Sequence, residues 1–263
     1  SLTIRFEHPI LERVRNLLRV EHLFQRFNAV LAQNDMWSHH LALLTIFEIM
    51  ECAARAEFKL DILQELERQK LMLYPQGSSI QPDSEQFELH QEIVAAASGL
   101  QQVQHKFAQH LRENEWLMAI KQRVPIPGNV NPFDLPAYHF WLQLPAETRR
   151  ERLNVWVSSL RPTYDAIEIL LKILRGNQVV IECEAINGQF QQNSLGQKVL
   201  LLQIDVDMAD EVIPEVSANK YMTNIRFLHP DFAHTRGATV HKKIPFKLSM
   251  CGFESLSIPA WNK

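Results

Sequence analysis

The sequence predicts an α+β fold in which an N-terminal bundle of long helices is packed with a C-terminal antiparallel β-sheet domain. Three observations carry this. From Ile10 to Gly176 apolar residues recur at spacings of three and four, the period of a helix with one buried stripe. After Asn177 they alternate with period two. No helical stretch separates the later strands, so they must pair antiparallel through short links. The expected division is a helical domain over 10–177 and a β-domain over 178–253, joined by an N-terminal strand at 2–8, with 254–263 as a tail.

The chain opens with SLTIRFEHP, where Leu2, Ile4 and Phe6 share one face of a strand that Pro9 ends. A lone strand needs a partner, and the other strands lie beyond residue 178, so it is expected to join the C-terminal sheet. From Ile10 the period changes, and Val14, Leu17, Leu18, Leu23, Phe24, Phe27, Val30 and Leu31 mark one long amphipathic helix. Asn34 and Asp35 interrupt it, with Ser38 as the expected cap of the next helix. The run from His39 to about Leu73 lacks glycine and proline and reads as one very long helix, or as two joined near Arg55. Tyr74-Pro75, Gly77 and Pro82 break it. A helix from about Ser84 through Phe107 to Leu111 comes next, and Asn114 is placed to cap EWLMAIKQR.

The stretch from Lys121 to Pro145, KQRVPIPGNVNPFDLPAYHFWLQLP, is the seam of the chain. Pro125, Pro127 and Gly128 stop any helix. Asp134 stands as an N-cap with Pro136 in the first turn. The short helix PAYHFWLQ carries Tyr138, His139, Phe140 and Trp141 in succession, so most of its faces are expected to be buried and the segment to fix the two domains relative to each other. Pro145 and Pro162 open two more helices, the second ended by Gly176 in the left-handed position. Then VVIECEAIN, VLLLQIDVD, YMTNIRFLHP and KIPFKLSMCGF form four strands linked by NSLGQ, PEVSANK and the HTRG region, with a bulge or bend at Gly188 before QFQQ. The helical domain is the expected cover of the sheet's apolar face.

Composition narrows the function classes. The 263 residues are 46% hydrophobic and 22% charged, as in a soluble globular protein, and the net charge of -3 disfavours a dedicated nucleic-acid binder. No apolar run of 18 residues occurs and SLTIRFEHP lacks the parts of a signal peptide, so a cytoplasmic protein without a membrane partner is expected. Cys52, Cys183 and Cys251 are scattered, which fits buried thiols in a reducing compartment. Eleven histidines include no HExxH, and His39-His40 is not ligand spacing on a helix. Nucleophile elbows and glycine-rich phosphate cradles are also missing. The reading is therefore of a protein that is not an enzyme and uses no cofactor. The alternative is a metal- or nucleotide-dependent cytoplasmic enzyme using His139.

Basic side chains near breaks or on apolar elements are the candidates for holding an acidic peptide: Arg19, Arg55, Arg112, Lys121, Arg123, Lys220 and Arg226. Arg226 shares a strand face with Met222 and Asn224, opposite Thr223, Ile225 and Phe227, which places it on the exposed side of a sheet. His139 is either a core histidine bonded to a carbonyl or a member of the binding set, facing with Lys121 and Arg123 a groove between the domains.

These landmarks together resemble the ZapD family, cytoplasmic bacterial cell-division proteins. The residues that carry the resemblance are FEHP at Phe6 to Pro9, LLRVEHL, ARAEFKLDILQELERQ around Arg55, IPGN followed by FDLPAYHFWLQLP, and NKYMTNIRF; they span Phe6 to about Cys251. The family often has a second basic residue four positions before the arginine of IRF, where this chain has Met222. The resemblance implies a homodimer at the mid-cell division ring that binds the acidic and apolar C-terminal tail of FtsZ and bundles its filaments during division septum assembly. It also implies a basic groove for that tail, to which Arg55, His139, Arg226, Lys121, Arg123, Arg112, Arg19 and Lys220 are assigned as candidates.

Overall fold

The structure is a computed structural model that describes residues 2–74, 81–103, 108–128, 130–219 and 221–262. It comprises two compact units, Ser1–Arg15 with Leu171–Lys263, and Asn16–Leu170. As an α+β protein with a helical part followed by antiparallel sheets, it has the predicted fold class.

The helical unit is built from α1 (Glu12–Leu31), α2 (Met36–Cys52), α3 (Ala56–Leu73), α4 (Glu85–Gln101), α5 (Gln109–Arg112), α6 (Glu115–Arg123), α7 (Pro136–Leu142), α8 (Ala146–Val157) and most of α9 (Arg161–Gly176). The long glycine-free run is two helices, because the chain turns at Ala53 and Arg55 is extended. Asp35, not Ser38, caps α2: its carboxylate accepts from the Ser38 N–H at 2.9 Å, Ser38 being the third helical residue. Asn114 caps α6 as read, through Leu117 N–H at 3.0 Å. Phe107, the expected middle of a helix from Ser84 to Leu111, lies outside the described residues; α4 and α5 stand on either side of that gap.

Two expectations about the proline-rich stretch fail. Asp134 does not cap α7; Leu135 holds that position without a side-chain bond. The Asn131 carboxamide organises the turn, accepting from the Phe133 and Asp134 N–H groups at 3.1 and 2.9 Å and donating to the Asp134 carboxylate at 2.8 Å. Nor does α7 bury most of its faces. Tyr138, Trp141 and Leu142 are buried, whereas His139 and Phe140 point outward, Phe140 being 68% exposed. The buried rings belong to a cluster inside the helical unit: Tyr138 stacks on Trp141 at 5.8 Å, and Trp116 lies 6.0 Å from Tyr138 and 5.6 Å from Trp156. Each such pair adds about 0.5–1.5 kcal/mol beyond burial. The segment is a wedge among helices, with α2 and α8 as its neighbours.

The second unit is a β-sandwich. One sheet has the order β1-β4-β8-β2, from Thr3–Pro9, Leu201–Asp207, Ile244–Cys251 and Gln178–Ala185. The other has β3-β6-β5, from Gln189–Asn193, Met222–His229 and Ile213–Ala218, with β7 (Ala238–Thr239) on β6. The N-terminal strand pairs with β4 from Thr3 opposite Asp207 to Pro9 opposite Leu201. The expectation of one sheet covered by helices is corrected. PEVSA is a strand, β5, and the apolar faces of the two sheets cover each other. Phe246 of β8 meets Phe190 of β3 at 5.2 Å and Phe227 of β6 at 5.1 Å, all within a core that includes Ile181, Ile204, Ile225 and Leu248.

Asn187 and Gly188 form the tight turn from β2 to β3, with φ of 51° and 72°. Ile186 and Gln189 exchange both backbone bonds across it, at 2.9 and 3.0 Å. That is a two-residue hairpin turn with both central residues left-handed, rather than a bulge. Gly176 is not among the described residues with positive φ. Asn177 secures the end of α9 instead, its carboxamide donating to the carbonyls of Gly252 and Glu254 at 2.6 and 2.7 Å. Beyond Phe253 the chain is packed rather than trailing. Leu256 and Trp261 rest on the sandwich core, Trp261 edge-on to Phe190 at 5.6 Å.

Candidate functional site

The break between α2 and α3 gathers several of the basic residues. Arg55 is the N-cap of α3 and is exposed. An arginine has no side-chain acceptor for the free N–H groups of a first turn, and none of them is capped by it. It also sets a cation at the positive end of the helix dipole, an unfavourable placement by about 0.3–1 kcal/mol, partly offset by Glu57 in the first turn. Three residues earlier, burial pushes the Cys52 thiol up, against the pull of nearby Arg19. Glu51 takes Lys121 of α6 in an ion pair at 2.8 Å. Arg19, Arg55 and Lys121 thus surround one corner of the helical unit.

From that corner a run of contacts leads to α7. Arg123, two residues beyond Lys121, faces Asp134 at 3.8 Å, and Asp134 lies two residues before α7. His139 stands on the exposed face of α7 and makes no side-chain hydrogen bond among the described residues, so the core reading of this histidine is set aside. Its neighbour Tyr138 is the one that is sealed in, its hydroxyl 2.6 Å from His40 Nδ1. Burial raises the Tyr138 phenol far above its usual range and lowers His40, so both stay neutral and hold α7 against α2. Arg112 is exposed at the end of α5.

Arg226 belongs to the other unit, on β6 between Gln189 of β3 and Glu215 of β5. Met222, Asn224 and Arg226 share the outer face, while Thr223, Ile225 and Phe227 are buried. Glu215, directly opposite, faces Arg236 at 3.9 Å. Met222 meets Gln191 through sulfur at 2.9 Å. Lys220 lies outside the described residues.

Charge pairing sorts the set. Lys121 and Arg123 have carboxylate partners, whereas neither Arg55 nor Arg226 has an ion pair among the described residues. The aromatic surface was the part missed from sequence: Phe140 and, on the first turn of α2, Trp37 are both exposed. The signal was available, since a helix that buries positions 138, 141 and 142 turns 139 and 140 to solvent. Among the described residues no three His, Cys, Asp or Glu side chains are grouped as a metal site. No described helix is long and apolar enough to cross a membrane.

Known proteins resemble this chain along nearly its whole length. The family model for ZapD, described as a cell division protein, matches residues 18–226. A cell division protein ZapD of Chromobacterium violaceum is 46% identical over 251 residues, covering 95% of this chain and all of the relative. Proteins of the same name from Dechloromonas aromatica and an Azoarcus species are each 40% identical over 250 residues, covering 94% of this chain and 99% of the relative.

Proposed function

The chain belongs to the ZapD family of cell division proteins, and from that premise we propose that it is a non-enzymatic homodimer that binds the acidic, apolar C-terminal tail of FtsZ and cross-links its filaments at the mid-cell ring. The observation that carries the basic site is Arg55. A cap position occupied by a cation that cannot cap, exposed and without an ion pair among the described residues, breaks the local rules of helix design with no structural return, which supports a residue placed for a partner. On the same unit, exposed His139 adds polarity and the rings of Phe140 and Trp37 add apolar surface, while Arg226, half-buried on the outer face of β6, is a separate cation of the other unit.

In mechanism, a two-fold dimer carries two copies of the tail site, so one dimer engages two filaments. Each single contact is weak, but tails repeated along a polymer raise the effective concentration and multiply it. The tail's carboxylates are drawn by exposed cations, so bundling is strongest at low salt and declines as the Debye length shrinks below about 10 Å.

The test is sedimentation of FtsZ polymers with this protein across a salt series, using FtsZ with and without its C-terminal tail. Pelleting should require the tail and fall with salt. Arg55→Glu or Arg226→Glu should abolish it while sedimentation velocity and circular dichroism stay those of wild type. Undiminished pelleting of tail-less FtsZ overturns the tail as the target, and full bundling by both variants overturns the site.

A further inference from the structure

Arg149 of α8 is buried, 5% exposed, and no carboxylate reaches it within ion-pair distance among the described residues. Its guanidinium is held by carbonyls instead: Asn34 beyond the end of α1 at 2.7 Å, Leu142 at the end of α7 at 3.0 Å, and Leu144 just after it. Both helices present their negative ends to it, the favourable placement for a cation. The third nitrogen, Nε, donates to Nδ1 of His39 at 3.0 Å, and His39 is fully buried. On the other side of the ring, Nε2 faces the Leu31 carbonyl at 3.3 Å. Arginine only donates and a carbonyl only accepts, so His39 must be neutral with its proton on Nε2.

We infer that His39 and Arg149 form a proton-sensitive latch, in which neutral His39 of α2 holds the Arg149 guanidinium that ties α8 to the ends of α1 and α7, and protonation of His39 pushes Arg149 away and loosens the α7 end that this arginine anchors. A proton on Nδ1 removes the acceptor of Arg149 Nε and places two cations in contact inside a buried site, a loss on both counts.

The charged groups around the ring reinforce this. On α8, Arg149 and Arg150 both oppose a second positive charge, and Glu147 is occupied by Arg150. Arg150 also bonds the carbonyls of Leu31 and Gln33, each at 2.8 Å, and so occupies the end of α1 itself. On α2 the nearest acid is Asp35, engaged as the helix cap by Ser38. From α1 and α7 the groups facing the site are backbone carbonyls. Burial is the largest influence and, with the two arginines, holds His39 below the ordinary histidine range in the folded protein, against the opposing pull of the Leu31 and Gln33 carbonyls.

The unfolded chain therefore takes up this proton first. The latch's contribution is complete above a pH of about 6.5 and is lost as pH falls from there through the folded-state value, by up to about tenfold in the unfolding equilibrium constant per pH unit. His8 and His40 are depressed in the same direction, so a single acid titration does not isolate His39.

Two measurements do. Long-range nitrogen-proton NMR of the wild-type ring should show the Nε2–H tautomer at neutral pH; an Nδ1–H tautomer or a charged ring overturns the latch directly. Amide exchange at Leu142 to Leu144 should accelerate several-fold, up to about tenfold, between pH 7.5 and 5.5, after correction for the intrinsic pH dependence. In His39→Gln, whose amide supplies both an acceptor and a donor but does not titrate, that acceleration should shrink to the part that protonation of His40 causes through its bond to Tyr138. Equal corrected acceleration in wild type and His39→Gln overturns the proposal, and should the variant fail to fold, the wild-type tautomer still decides it.

Discussion

Replacing Gly188 with alanine separates two costs that the β2–β3 turn imposes. At φ +72° an L-residue carries a left-handed penalty of about 1–2 kcal/mol. The new Cβ would also stand 2.9 Å from Val240 Cβ, 3.1 Å from the Val240 carbonyl oxygen and 3.2 Å from that of Phe227. Val240 is fully buried, so overpacking adds about 1–3 kcal/mol. The turn cannot swing aside cheaply, because the Gly188 carbonyl accepts from the Phe227 N–H at 2.7 Å and its own N–H donates to the Lys242 carbonyl at 3.2 Å. The sum is about 2–5 kcal/mol, and at roughly 2–4 °C per kcal/mol for a chain of this size it lowers the melting temperature by about 4–20 °C. Gly99→Ala, in α4 with nothing within 4 Å of the added carbon, is the control and should stabilise by about 0.5–1 kcal/mol. Calorimetry of the two variants beside wild type reads both. Melting of Gly188→Ala within a degree or two of wild type, or an equal loss in Gly99→Ala, refutes the turn geometry.

The same packing sets two further outcomes. Tyr138→Phe leaves half-buried His40 Nδ1 without its 2.6 Å partner and should cost about 1 kcal/mol in urea unfolding; a neutral effect means the hydroxyl does not hold α7 to α2. Trp261→Ala strips a half-buried ring from Phe190 and should cost about 1–3 kcal/mol, less than the roughly 3–5 of a fully buried ring. An unchanged urea midpoint for that variant shows that the C-terminal segment adds nothing to the sandwich.

Much of the site's local setting was legible. Arg226 falls on the outer face of β6 because strand period is strict, and the alternation of Thr223, Ile225 and Phe227 left no other face for it. Arg55 was recognisable as lying at a break in an otherwise uninterrupted helical run. His139 was not placed, since a run of rings in sequence suggests burial, whereas a seven-residue helix offers the core only one side. The charge partners of Lys121 and Arg123 were also invisible: Glu51 is seventy positions from Lys121, and no spacing rule reaches that far.

The local periods were readable from side-chain order alone. Helix and strand regions, the α6 cap and the inward faces of β2 and β6 follow from side-chain spacing and short-range hydrogen bonding, which act within a few residues. Which face covers which was settled by the folded chain. It turned the expected single sheet into a sandwich, enlisted PEVSA as a strand, folded Leu256 and Trp261 onto the core, and joined His39 to Arg149 across 110 positions. The physical reason is that apolar burial is non-directional and satisfied by any matching face, so period shows that a face must be covered without naming its cover. The partner of a buried arginine is likewise whichever acceptors the assembled helix ends present.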